Sequence, residues 1–191
     1  MYLFFDTETT GLPRDRKAKR TDLANWPRLV QLAYLVYDKS GNRISAAEAI
    51  IKPEGFTIPD DAARVHGITT ARAEKEGEDL REVLQNFHIE VEKTVFLIAH
   101  NMWFDENVVG AEFLRNQISD ILPKKRKICT MISATDFCAL PGPDGFRWPK
   151  LVDLHSKLFG EGFESAHSAG ADIAATAKCF WELKRQGIIK V

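Results

Sequence analysis

Residues 2–8 read Tyr-Leu-Phe-Phe-Asp-Thr-Glu, four apolar residues followed by two carboxylates with one residue between them. Four consecutive apolar residues are typical of a strand that is buried on both faces of a sheet. Residues two apart on a strand point to the same face, so we expect Asp6 and Glu8 to face one site. In open α/β sheets, ligands bind at the carboxyl ends of the strands, where these two residues lie.

The segments that follow predict a meander of three antiparallel strands. Strand-like apolar patterns occur at 29–37 and 43–52, and a Lys-Ser-Gly-Asn turn at 39–42 separates them. A longer link at 13–27 joins the first strand to the second, and its first half, from Arg14 to Arg20, is basic.

The remainder of the chain alternates between predicted helices and strands. We predict strands at 95–99 and 127–131. Helices are predicted at 59–65, 70–76, 80–91, 103–116, 151–159 and 171–185. Strands first, then alternating helix and strand, predict one mixed α/β sheet with helices packed on its faces. Residues 1–191 are expected to form a single domain.

The composition indicates a cytoplasmic protein with a full core and no membrane segment. Hydrophobic residues make up 45% of the chain, and 26 basic against 27 acidic residues leave a net charge of −1. A near-neutral total means that nucleic acid would have to bind at a local basic patch. The three cysteines form no C-x-x-C pair, which is typical of reduced thiols: Cys129, Cys138 and Cys179.

Two further acidic groups lie at the starts of predicted helices. One follows the fourth predicted strand, where Asn101 is a candidate N-cap that places Asp105 in the first turn. The other opens the last predicted helix, where Ser168 is the candidate N-cap, His167 lies just outside and Asp172 lies in the first turn.

Four converging carboxylates are costly to desolvate unless divalent cations supply positive charge. Oxygen ligands suit Mg²⁺ or Mn²⁺ rather than zinc, and two such ions about 3.5–4 Å apart can hold a phosphodiester and activate water. A neighbouring histidine can take the proton from that water. Each group alone has an ordinary explanation, as a polar strand end, an acid at a helix start or a surface histidine. Their joint occurrence in this order favours a catalytic metal site.

At these positions the sequence resembles the DEDDh branch of the DnaQ-like 3′→5′ exonucleases. Asp6–Leu12 resembles the first motif of that family, His100–Asp105 the second and His167–Thr176 the third. A smaller signature, Val65–Thr69, is similar to one carried by proofreading-type members. The resemblance extends from residue 1 to about 185 and implies a ribonuclease-H-like fold, a mixed five-stranded sheet flanked by helices.

The resemblance also implies the roles of individual residues. Two Mg²⁺ ions, with Mn²⁺ able to substitute, would be held by four carboxylates: Asp6, Glu8, Asp105 and Asp172. His167 would be the general base. The terminal nucleotide would be contacted by three residues: Thr9, Leu12 and His66.

Several features leave alternatives open. The basic link from Arg14 to Arg20 and the cluster from Lys124 to Lys127 could grip phosphates or could be solvated loops. Trp148, in a Pro- and Gly-rich stretch, could stack on a base or lie on an ordinary surface loop. Core packing is the better explanation for Phe104.

The expected function is removal of nucleotides from a single-stranded or frayed 3′ end, with DNA favoured over RNA because of the proofreading-type signature. A DNA polymerase complex is a possible partner, and the oligomeric state is not predicted. The alternatives are an RNA 3′-end trimming enzyme, a non-catalytic nucleic-acid-binding or polymerase-associated subunit, and an unrelated metal-binding α/β domain.

Overall fold

The computed structural model describes residues 1–163 and 169–191. The strands in chain order are β1 (Tyr2–Thr9), β2 (Leu29–Tyr37), β3 (Arg43–Ile50), β4 (Phe96–Ala99), β5 (Arg126–Cys129), β6 (Pro141–Gly142) and β7 (Gly145–Phe146). The helices are α1 (Asp60–His66), α2 (Thr70–Glu76), α3 (Leu80–Lys93), α4 (Met102–Arg115), α5 (Thr130–Ser133), α6 (Thr135–Cys138), α7 (Leu151–Phe159) and α8 (Ala169–Arg185). A short 3₁₀ helix covers Leu122–Lys124.

Five strands form one mixed sheet in the order β3-β2-β1-β4-β5. The strands β1, β2 and β3 form an antiparallel meander. β4 runs parallel to β1, and β5 runs parallel to β4. The prediction of a mixed five-stranded sheet flanked by helices is confirmed. β6 and β7 form a separate two-stranded hairpin within the predicted surface loop.

Both faces of β1 are covered, which explains its continuous apolar run. Leu3 and Phe5 belong to a core shared with α3 and α4. Tyr2 and Phe4 belong to a second core on the opposite face, shared with α7 and α8. The alternation of successive side chains across the strand therefore divides the molecule into three layers, helix, sheet and helix.

The structure corrects the ends of three predicted strands, and the one predicted at 43–52 ends at Ile50. The apolar run that predicts the first strand ends at Phe5, but β1 continues through Thr9 because β2 pairs with it along this whole length. The predicted fifth strand reached Met131, whereas Thr130 begins the short helix α5, which the sequence analysis missed together with α6. Among the described residues, no helix is long and apolar enough to cross a membrane.

Candidate active site

Asp6 and Glu8 lie near the carboxyl end of β1, the central strand of the sheet. They share the face of Tyr2 and Phe4, the face that α8 covers, because residues two apart on a strand point the same way. Thr7, between them, points to the opposite face and is buried. The pattern acid, threonine, acid thus presents two carboxylates to one helix layer and one hydroxyl to the other.

Asp172 completes a group of three carboxylates. It lies in the first turn of α8, and oxygen atoms of Asp6, Glu8 and Asp172 all lie within 4.8 Å of one another. The expectation that these three residues converge therefore agrees with the structure, although their sequence positions differ by more than 160 residues.

Gln31 links the start of α8 to the sheet beside this group. Its side-chain Oε1 accepts a hydrogen bond from the backbone N–H of Ala169 at 3.3 Å, and its Nε2 donates to Glu48 at 2.8 Å. Gln31 lies opposite Glu8 in the β1–β2 ladder, so its backbone is next to the carboxylate group. The sequence analysis missed Gln31, although a lone amide within the apolar run of β2 was an available signal.

Asp105 lies on the other side of β1, in the first turn of α4. Its Oδ1 accepts hydrogen bonds from the Thr7 backbone N–H at 3.1 Å and the Thr7 hydroxyl at 2.7 Å, and the residue is buried. Among the described residues, Asp105 lies beside the group of three carboxylates and is not one of its members. Its charge still acts on Asp6. The predicted N-cap position of Asn101 is correct, but its side chain makes no capping hydrogen bond.

Burial raises the pKa values of three of these carboxyl groups, and neighbouring negative charges add to the effect at Asp6 and Glu8. Burial, followed by the charges of Asp105, Glu8 and Asp172, raises the pKa of Asp6 well above its usual range. The pKa of Glu8 rises to about 7, through burial and the charges of Asp172 and Asp105. Burial also raises the pKa of Asp105 to about 7, against the opposing effect of the two hydrogen bonds from Thr7.

This donor set fits a hard divalent cation. Carboxylate oxygens are the ligands that Mg²⁺ and Mn²⁺ prefer, and a cation would relieve the repulsion that raises these pKa values. Two oxygens on opposite sides of one Mg²⁺ are about 4.2 Å apart, since each Mg–O distance is about 2.1 Å. The three carboxylate oxygens lie within 4.8 Å of one another, which is close to this span and fits coordination of one such ion.

The three expected nucleotide contacts surround the end of β1. Leu12 is 72% exposed and directly follows the turn in which the Thr9 hydroxyl donates to the Gly11 carbonyl. His66 ends α1, is buried, and accepts a hydrogen bond from the Ile68 N–H on Nδ1 at 3.1 Å. Burial lowers the pKa of His66, which a hydrogen bond involving the Thr9 backbone partly opposes. Predicted residues His167 and Ser168 lie outside the described residues.

Three residues of the two basic clusters make structural contacts within the protein. Arg20 pairs with Glu106 at 2.6 Å and with Asp120 at 2.5 Å, and Lys127 also pairs with Glu106. Lys125 donates to two backbone carbonyls at the end of α3. These three residues therefore have structural contacts instead of free charges for phosphates. Phe104 packs against the core as expected, and the Trp148 side chain is 59% exposed.

Comparison with known proteins identifies the family. The model of a family described as Exonuclease (RNase_T) matches residues 3–180. The PolC-type DNA polymerase III of Streptococcus pneumoniae is 31% identical over 177 residues, and that of Streptococcus thermophilus is 30% identical over the same length. Both alignments cover 93% of this chain, which spans 11% of the length of these relatives.

Solved structures show the same fold. Escherichia coli Exonuclease I in complex with a dA16 oligonucleotide matches with a TM-score of 0.73 at 22% identity, over 96% of this chain and 40% of that one. Exonuclease I from Methylocaldum szegediense matches with a TM-score of 0.73 at 23% identity, over 97% of this chain and 40% of that one. The expected ribonuclease-H-like fold is confirmed, and the chain belongs to the DnaQ-like 3′→5′ exonuclease family.

Proposed function

We propose that the protein hydrolyses phosphodiester bonds from the 3′ end of nucleic acid and releases nucleoside monophosphates. The observation that carries this proposal is the group of three carboxylates, whose oxygens lie within 4.8 Å at the carboxyl end of the central strand. Family membership supports the 3′→5′ direction. The chain spans a small part of its polymerase relatives, so the activity of this chain alone is part of the proposal.

The carboxylates have the role of holding divalent metal, with Mg²⁺ favoured and Mn²⁺ able to substitute. Bound ions would activate water and neutralise charge on the scissile phosphate. Asp6, Glu8 and Asp172 supply converging oxygens, and Thr7 fixes the carboxylate of Asp105 as the fourth member. We assign all four to metal binding, in a two-ion arrangement of the DEDDh type.

His167 is assigned the role of general base, which takes the proton from the attacking water. The assignment rests on its spacing in the third motif, five residues before Asp172. An imidazole suits this role because its ordinary pKa of about 6.5 lies close to neutral pH.

Thr9, Leu12 and His66 are assigned to the terminal nucleotide. The exposed Leu12 side chain offers an apolar surface for a base. His66 offers a buried imidazole whose lowered pKa keeps it uncharged at neutral pH, so it can pack beside a sugar or base.

DNA is favoured as the substrate, in the form of a single-stranded or frayed 3′ end. The relatives are named as DNA polymerases, and the matching structure of Exonuclease I holds an oligodeoxynucleotide. The names of the same relatives support association with a DNA polymerase. Co-elution of this chain with a replicative polymerase in size-exclusion chromatography tests that association, and separate elution at micromolar concentrations would contradict it.

The activity is tested with DNA and RNA oligonucleotides of one sequence, each labelled at the 5′ end. We expect a ladder that shortens from the 3′ end with Mg²⁺ or Mn²⁺ and stops with EDTA, and faster shortening of DNA. Asp172→Asn should abolish the ladder while the protein stays folded. Asp38→Asn is the matched control, because Asp38 lies in the turn at the opposite end of the sheet.

Faster shortening of RNA would identify the trimming enzyme instead. Absence of cleavage by folded, metal-loaded protein would refute the exonuclease and favour a non-catalytic binding subunit.

A further inference from the structure

A small cavity lies next to the candidate active site, between the turn after β1 and the segment that leads into β2. Its volume is about 270 Å³, and Thr10, Leu12, Arg14, Asn25 and Arg28 are among the residues that line it. Leu12 belongs both to this cavity and to the proposed site of the terminal nucleotide. The cavity therefore adjoins the proposed position of the terminal nucleotide.

The cavity carries an excess of positive charge. Arg28 donates from Nε to Glu112 at 2.8 Å, and Arg115 pairs with the same carboxylate oxygen at 2.9 Å, so two guanidinium groups share a single buried acid. Arg14 makes no side-chain ion pair or hydrogen bond with the described part of the chain, and its side chain is exposed. The neighbouring Asp15 uses its carboxylate to accept from the Lys17 N–H.

The walls of the cavity are fixed before any ligand binds. Asn25 accepts from the Asp15 N–H at 2.7 Å and donates to the Asp15 carbonyl at 3.0 Å. Arg115 donates to the carbonyls of Leu23 and Trp26, and Arg20 anchors the middle of the link to α4. A preformed site loses less conformational entropy when a ligand binds.

Arg20 also explains a glycine in α4. A Cβ atom on Gly110 would lie 2.5 Å from Arg20 Cδ and 2.7 Å from its Nε, so the arginine crosses the helix at the one residue without a side chain. Arg20 and Arg115 thus hold the link from 13 to 27 against α4, and Asn25 holds the backbone beside Arg14.

A phosphate group is the ligand that this chemistry favours. Guanidinium groups offer planar, paired N–H donors that match phosphate oxygens. Arg28 bonds to Glu112 through Nε, so its two terminal nitrogens can donate to a phosphate. A volume of about 270 Å³ suits one phosphate with its adjoining sugar.

We propose that the cavity between Arg14 and Arg28 binds a backbone phosphate of the substrate strand, on the 5′ side of the nucleotide being removed. This inference rests on the proposed function, because a strand whose 3′ nucleotide lies at Thr9 and His66 can extend past Leu12 only in its 5′ direction. The complementary strand of a duplex would offer the same phosphate chemistry, and the experiment below separates the two sources.

Arg14→Gln tests the proposal, because it removes a charge whose side chain supports nothing else in the fold. Three substrates are compared: the p-nitrophenyl ester of thymidine 5′-monophosphate, a single-stranded DNA 12-mer, and the same 12-mer in a blunt duplex. We expect kcat/KM to fall about tenfold on both forms of the 12-mer, because one charge-assisted contact is lost. The change should come mainly from a higher KM. The single-nucleotide ester should be cleaved within twofold of the wild-type rate.

The salt dependence provides a second measurement. The slope of log KM against log salt for the single-stranded 12-mer should decrease by about 0.7, the value for one phosphate contact on a single strand. Arg43→Gln is the matched control, since Arg43 is exposed at the opposite end of the sheet and should change neither quantity. Arg14→Lys should fall between the wild type and Arg14→Gln, because it keeps the charge without the paired donors.

Three outcomes are distinguishable. Equal losses on the ester and the 12-mer, or no loss on either, would overturn the cavity as a strand subsite. A loss confined to the duplex would overturn the assignment to the substrate strand and identify the complementary strand. Failure of wild-type protein to cleave any of the three substrates would instead refute the proposed action on DNA.

Discussion

Replacement of Glu8 by Gln should make the metal-free protein more stable at alkaline pH. In the folded chain, burial and the charges of Asp172 and Asp105 raise the pKa of Glu8 from 4.5 to about 7. A carboxyl group with a raised pKa in the folded state stabilises the fold while it is protonated, and this contribution is lost as the pH rises through the folded value. The relevant window for Glu8 is therefore from about pH 4.5 to about 7.

The size of the effect follows from the shift. One pKa unit corresponds to about 1.36 kcal/mol, so a shift of roughly 2.5 units corresponds to at most about 3.4 kcal/mol. Glu8 retains partial solvent exposure, which screens the repulsion, and we expect about 2–3 kcal/mol. For a domain of this size, 1 kcal/mol changes Tm by about 2–4 °C. Relative to the wild type, the Tm of Glu8→Gln should rise by roughly 4–12 °C between pH 5 and pH 8.

Thermal unfolding of both proteins in EDTA, from pH 4.5 to pH 8.5, measures this difference. Addition of Mn²⁺ or Mg²⁺ at pH 8 should then raise the Tm of the wild type more than that of Glu8→Gln, since a bound cation favours the ionised carboxylate. Glu54→Gln, the same change at an exposed position, serves as the control. Parallel Tm curves for the wild type and Glu8→Gln across the whole pH range would refute the electrostatic argument for this site.

Three further predictions concern separate parts of the molecule. His167→Ala should lower kcat by about 10²–10⁴-fold with little change in KM, and a variant that keeps turnover but loses binding would contradict its role as the base. Glu112→Ala should lower the free energy of unfolding by about 3–5 kcal/mol, because it leaves two arginines without their buried partner; a change in Tm below about 2 °C would be inconsistent with this. Thr7→Val removes a hydrogen bond that lowers the pKa of Asp105, so the acid limb of kcat/KM against pH should move up by about one unit, and an unmoved limb would argue against that link.

Local patterns in the sequence were sufficient for the central parts of the fold. The apolar run at 2–5, the meander and the later alternation of helix and strand predicted the mixed sheet, because burial on both faces imposes continuous apolar residues on a central strand. The same periodicity placed Asp6 and Glu8 on one face, since the two-residue repeat of a strand is a local property.

Strand and helix ends were less predictable. Pairing with β2 keeps β1 extended through polar residues up to Thr9. The sequence of β1 alone does not show where this pairing ends. Similarly, α5 and α6 are four residues each, too short for a helical repeat to appear in the sequence.

The tertiary structure decided which charged residues are available for function. The basic link appeared uniform in sequence, yet Arg20 is bound to Glu106 and Asp120, whereas Arg14 lines a cavity. These partners are 86 and 100 residues away from Arg20. Likewise, the contact of Gln31 with the first residue of α8 spans 138 residues. Periodicity fixes the direction of a side chain within its own element, but only the packing of distant elements determines which partner it meets.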